Sequence, residues 1–119
     1  MNVIGSRPDG WWRDRRGALE RLVGKLEGWA GESGERVAVV LEQPPFPPIV
    51  SDTVEVAWAS SPGANAADGE IVRRLPQWLG EETEVTVITS DRELADRVRS
   101  LGAAVEGAST FRSRLEASA

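Results

Sequence analysis

Residues 84–106 read EVTVITSDRELADRVRSLGAAVE. Glu84 to Thr89 is a β-rich run that stops at Ser90-Asp91, the pattern of a strand meeting a turn. From Asp91 to Leu101 the apolar residues Leu94, Val98 and Leu101 fall on one face of a helix, and Gly102 stands where a helix closes. Ala103 to Glu106 then reads as a short further strand. A strand, a helix and a strand in this order form a βαβ unit, whose strands lie parallel.

Working outward, the same alternation recurs. Arg36 to Leu41 (RVAVVL) is a continuous apolar run, as expected of a strand covered on both faces. Val54, Val56 and Trp58 alternate with Glu55 and Ala57, a more exposed strand. Leu19, Leu22, Val23, Leu26, Trp29 and Ala30 mark a helix from Trp12 to Ala30, stopped by Gly31, Ser33 and Gly34. Ala67, Ile71, Leu75 and Leu79 mark another over 66–79, which Pro76 is expected to kink or end early. Met1 to Ile4 is the tail of an apolar run that breaks at Gly5-Ser6, and Pro44 to Pro48 (PPFPP) is a stiff extended loop. Ser109 or Thr110 caps a last helix carrying Phe111 and Leu115. The order β-α-β-β-α-β-α-β-α predicts an α/β three-layer sandwich, a mostly parallel sheet with helices on both faces, in one domain over 1–119.

Composition narrows the chemistry. The 119 residues hold 14 Lys plus Arg and 19 Asp plus Glu, a net charge of −5, which argues against binding polyanions through bulk charge. Cys and His are both absent. That excludes disulfides, thiolate metal sites and His-based triads, and it fits a reducing, cytoplasmic setting. No apolar run approaches the roughly 20 residues of a membrane span. Catalysis would therefore run on carboxylates with metal or water, plus Arg and backbone dipoles.

In an open α/β sheet, ligands bind beyond the carboxyl ends of the strands. Asn2 lies at the end of the first run, Glu42 follows RVAVVL, Asn65 and Asp68 open a helix, and Asp91 follows EVTVIT. These positions predict one edge, where Glu42, Asp68 and Asp91 converge as oxygen ligands for Mg²⁺ or Mn²⁺. Each acid also has a structural reading: Asp91 as an N-cap, Asp68 as a first-turn partner of the helix dipole, Glu42 as solvated surface. Trp11-Trp12-Arg13-Asp14-Arg15-Arg16, with Arg21 and Lys25 beyond it and Arg92, Arg112 and Arg114 as further candidates, is a basic patch with aromatics, suited to phosphates and stacked bases of single-stranded RNA. The same residues equally suit a helix sealed onto the sheet with a solvated Arg face.

The segments MNVIGSRPDGWWRDRRGALERLV, RVAVVLE, GANAADGEIVRRL and VTVITSDRELADRVRSLGAAVEGASTFRSRL, in this order, resemble NYN domains of the YacP-like type, a branch of the PIN-like nuclease superfamily. The resemblance covers nearly the whole chain and is most specific in NVIGS and TSDRELADRVRSLGA. It implies a Mg²⁺- or Mn²⁺-dependent endoribonuclease acting on single-stranded RNA, with ribosome-associated mRNA as one substrate form. It also implies catalytic roles for Asn2, Asp68 and Asp91. Two departures stand out. The family pattern Asp-Gly-x-Asn is reduced to Met1-Asn2, so most of a first strand and its acid are expected to be lacking. Gly69 and Glu42 replace acids typical of the pattern. The alternative reading is a catalytically weakened PIN-like module that holds RNA or a ribosome-associated partner. A receiver-like domain is disfavoured because the only lysine, Lys25, lies within a helix, and neither G-x-x-x-x-G-K-S/T nor G-x-G-x-x-G occurs.

Overall fold

The computed structural model describes residues 1–5, 15–61, 63 and 65–117. Its elements follow the expected order: β1 (Asn2–Gly5), α1 (Arg15–Ser33), β2 (Val37–Leu41), β3 (Val54–Trp58), α2 (Ala66–Glu81), β4 (Thr86–Ile88), α3 (Arg92–Ser100), β5 (Ala104–Glu106) and α4 (Ala108–Ala117). The strands form one sheet in the order β3-β2-β1-β4-β5, with every pairing parallel. β1 is short but central. It pairs β2 over Asn2–Gly5 and β4 over Asn2–Ile4.

Alternation along the strands divides the core into two layers. Val3, Ala38, Val40, Ala57, Val85 and Val87 meet Ala67, Ile71, Leu75 and Trp78 of α2 and Leu94 and Val98 of α3. Ile4, Val37, Val39, Leu41, Val54 and Ile88 meet Leu19, Val23, Leu26 and Trp29 of α1 and Phe111 and Leu115 of α4. On that second face, Trp29 and Phe111 stack edge to face at 5.3 Å. The Arg114 guanidinium lies 5.5 Å from the Trp29 ring and pairs with Glu106 at 2.5 Å.

Three local expectations are corrected. α2 continues through Pro76 to Glu81. Pro76 is on the exposed side, while Trp78 beyond it is 2% exposed and fixes the last turn to the sheet. Leu101 does not face the core. α3 ends at Ser100, and Leu101 is the C-cap residue, 42% exposed, before Gly102 turns the chain at φ +105. α1 runs beyond Ala30 to Ser33 and closes at Gly34, whose φ of +72 suits a residue without Cβ. The link from β2 to β3 contains no helix. This extended stretch is held to α1 by Arg16, which donates to the Pro47 carbonyl, and by the Ser51 hydroxyl, which donates to Glu27 at 2.7 Å.

An ion-pair network ties α2 to the β3 side of the sheet. Glu70 has a side chain 3% exposed and accepts from Arg73, at 3.2 Å through Nε, and from Arg74 at 2.5 Å. Arg74 reaches Glu55 of β3 at 4.0 Å. Glu55 in turn accepts from Arg36 at 3.0 Å, which also donates to Glu81 at 2.8 Å. The Arg73 guanidinium, then that of Arg74, holds the Glu70 carboxyl below the usual carboxylate range against the opposing effect of burial. The folded pKa thus lies below the unfolded value of about 4.3. Its stabilisation is complete above that value and is lost as pH falls through the folded pKa. Glu70→Gln is therefore expected to lower stability at pH 7 by about 2 kcal/mol. Denaturant titrations of both proteins should show the gap closing as pH falls below about 4; a gap independent of pH would show that the carboxylate charge is irrelevant.

Candidate functional site

From β1 the chain winds outward to β2 and β3 on one side, then crosses back to β4 and β5 on the other. Such a reversal leaves a crevice at the carboxyl ends of the two strands where it occurs. A cavity of about 360 Å³ occupies that place, with Gly5 of β1 and Ile88, Thr89 and Ser90 at the end of β4 among its lining residues. Glu42 lines it from the end of β2, Asn65, Ala67 and Asp68 from the start of α2, Asp91 and Leu94 from the start of α3, and Ala108 from the start of α4. The sheet topology thus brings Glu42, Asp68 and Asp91 to one cavity, together with three helix N-termini. The described lining contains three carboxylates and neither Lys nor Arg.

Local structure sets each group. Asp91 is the N-cap of α3, and its Oδ1 accepts from the Leu94 N–H at 2.8 Å. The Asp91 N–H donates to Thr89 Oγ1 at 3.0 Å, which fixes the turn between β4 and α3. A carboxylate retains a second oxygen when one oxygen serves as the cap. Asp68 lies in the first turn of α2 and Oδ1 leans toward the end of β1, 4.0 Å from where a Cβ on Gly5 would stand. Asn65 holds the N-cap position at φ +60 with no side-chain cap bond, a left-handed conformation that asparagine tolerates better than most residues. α4 has no acid in its first turn, and its Ala108 N–H donates to Ser90 Oγ at 3.2 Å.

Asn2 is placed elsewhere. It begins β1 opposite Val37 and Thr86, the first residues of their strands, so it lies on the amino edge of the sheet. Its side chain is buried there, donating through Nδ2 to Glu35 at 3.0 Å. Val3 and Ile4 follow Asn2 along β1, so the strand runs from Asn2 toward the cavity and ends at Gly5. The carboxyl end of β1 is a glycine.

The acids approach without forming a ligand cage. Among the described residues no three acidic side chains come close enough to hold a metal ion, so Glu42 joins Asp68 and Asp91 as a lining residue of a shared cavity and not as the third member of a tight ligand set. Trp12 and Arg13 lie outside the described residues, and Arg15 is described only as the first residue of α1. Arg16 sits at the Pro-rich loop, paired also with Glu20 at 2.6 Å. Arg92 begins α3 on the exposed surface. Arg97, which the sequence reading passed over, lines a second cleft with Asn65, Asp68, Asp91 and Glu93. Its signal was the helical spacing of four from Glu93, which places both on one side of α3.

No protein-family model matches the chain, and no curated protein matches it. Among solved structures it is similar to the crystal structure of Rae1 (YacP) from Bacillus subtilis, with a TM-score of 0.77 and 21% sequence identity over 99% of this chain and 74% of that one. A single-substitution variant of that protein gives a TM-score of 0.75 at 22% identity, over 98% of this chain and 74% of that one. The likeness establishes the α/β fold in the YacP-like arrangement.

The double use of Asp91 separates experimentally. Asp91→Ala removes both cap and charge and is expected to cost about 1 kcal/mol of stability. Asp91→Asn keeps a capping oxygen and should unfold within a few tenths of a kcal/mol of the parent. Thermal unfolding of the pair checks this, and equal losses would show that the cap contributes nothing.

Proposed function

We propose that the chain is a ribonuclease-like domain that binds single-stranded RNA and hydrolyses its phosphodiester backbone at the cavity between β1 and β4. The observation that supports it most is the convergence of Glu42, Asp68 and Asp91, from three separate elements, on that cavity. Acids gathered around a substrate that is itself anionic call for a cation between them. The donor set is all oxygen, which fits Mg²⁺ or Mn²⁺, and Mg²⁺ is commonly held by one or two carboxylates with water and substrate phosphate completing its shell. Asp68 and Asp91 would hold it, with Glu42 at the wall. The ion would supply an activated water and neutralise charge on the scissile phosphate.

The chain's own groups have distinct tasks in this reading. The N-terminus of α4, which carries no acid in its first turn, offers positive dipole density to one side of a phosphate. Arg97, in the cleft that shares Asp68 and Asp91, supplies a full positive charge on another side. Asp91 is kept oriented by its bond to Leu94, so its second oxygen needs little reorganisation. With only a pair of carboxylates at ligating positions, the expected balance favours binding over turnover, as the loss of a metal ligand removes more from catalysis than from binding. The alternative, an RNA-holding module without turnover, follows from the same geometry if the pair retains no ion.

Isothermal titration with Mn²⁺ and a labelled-RNA cleavage assay test the reading together. Asp68→Asn and Asp91→Asn should each reduce Mn²⁺-dependent cleavage at least about a hundredfold. RNA affinity should fall with salt and change little in these two variants. Gly5→Asp should tighten Mn²⁺ binding by about tenfold, because a Cβ there meets only Ile71 at 3.6 Å and Asp68 at 4.0 Å and brings a third carboxylate beside Asp68. Cleavage that survives in both Asn variants would refute the carboxylate mechanism.

A further inference from the structure

The Pro-rich link from β2 to β3 holds an aromatic side chain in water. Phe46 is 93% exposed, and Trp58, the last residue of β3, is 42% exposed. A single exposed apolar residue is ordinary, but this loop is tied to α1 at two points just after Phe46, through Arg16 to the Pro47 carbonyl and through Ser51 to Glu27. Ser51 also accepts from the Val54 N–H at 3.1 Å, locking the entry to β3. Phe46 is therefore presented from an anchored chain.

Phe46 lines a cleft of about 140 Å³ with Arg16, Gln43 and Pro45. Trp58 lines another, of about 300 Å³, with Gln43, Pro44 and Ser60. Glu42 lines both, and it lines the acid cavity as well. One residue at the end of β2 is thus the common wall of three hollows on the carboxyl edge of the sheet.

We infer that this edge is a stacking track for single-stranded RNA leaving the acid cavity, with one nucleobase on the Trp58 indole and another on the Phe46 ring. The inference rests on the proposed reading of the cavity and extends it by assigning where the flanking bases go. Aromatic faces accept any base, so the track favours unpaired strands over particular sequences. Duplexes, whose bases are stacked within the helix, do not engage it. Arg16, already paired with Glu20 and the Pro47 carbonyl, also lines the Phe46 cleft, where a passing phosphate would compete with Glu20 for its guanidinium. Gln43, which lines both aromatic clefts, offers an amide to base edges or to the ribose 2′-hydroxyl.

Fluorescence anisotropy with a short labelled oligoadenylate tests this, using its abasic ribose-phosphate counterpart as the control probe. Phe46→Ala and Trp58→Ala should each weaken oligoadenylate binding by about tenfold, and Trp58→Phe should restore most of the loss. Val50→Ala, on the same loop and 86% exposed, should bind as the parent does, and the abasic strand should bind all variants alike. Unchanged oligoadenylate affinity in both aromatic variants overturns the track and leaves those side chains for another partner, such as a protein. Equal losses on the abasic strand also overturn it, because the rings would then act without bases. Aromatic-dependent binding with no Mn²⁺-dependent cleavage would instead sustain the track and remove the hydrolytic reading. Absence of RNA binding by the parent chain removes both.

Discussion

Parallel pairing of β1 on both of its sides is the constraint from which the architecture follows. A strand of four residues, Asn2–Gly5, carries one ladder to β2 and another to β4. Without it the sheet would separate into β3-β2 and β4-β5. A strand in this position must be apolar on both faces. Val3 and Ile4 meet that need by pointing into opposite core layers, one under α2 and α3, the other under α1 and α4. Because the chain leaves β1 first in one direction and later in the other, the carboxyl ends of β1 and β4 open into a crevice, and the start of α3 stands over it. Fold and site are set by the same reversal.

Charge is organised differently on the two sides of α2. Along its outer flank each acid has a guanidinium: Glu70 with Arg73 and Arg74, Glu55 and Glu81 with Arg36. Arg36 is held protonated more firmly, chiefly by Glu81. Surface pairs of this kind contribute little singly, but the buried carboxylate of Glu70 is held charged by its partners, Arg73 first, against the opposing effect of desolvation. At the first turn of α2, Asp68 instead lines an open cavity together with Glu42 and Asp91. The helix thus carries a neutralised network that binds it to the β3 edge at one place and an acid lining the cavity at another.

Much of this was legible in residues 84–106 and in the alternation of runs around them. The element order and the gathering of Glu42, Asp68 and Asp91 follow from strand ends alone, because topology puts every strand end of a parallel sheet on one edge. What was not legible required knowing direction or environment. Asn2 reads as the end of an apolar run, whereas the pairing with Val37 and Thr86 puts it at the start of β1. Glu70 reads as a solvated helical acid until α2 is set on the sheet, although Arg73 and Arg74 at spacings of three and four were a signal for its burial. Pro76 breaks an isolated helix, and local propensity has no record of the Trp78 anchor that carries α2 past it. Arg97 was hidden by its ordinary place in a charged helix.

The seam between β1 and β4 has a thermodynamic consequence. The edges of the sheet, β3 on one side and β5 on the other, can fray while leaving Ile4 and Ile88 paired. Parting β4 from β1, in contrast, opens both core layers and the cavity in a single event. The cavity therefore exists only in molecules whose centre is intact, and occupancy of it is linked to global rather than local opening. A ligand bridging the start of α2 and the start of α3 would add protection to the amides of the buried central strands, such as those of Val3, Val39 and Val87, while the amides of the β3 edge would exchange as before.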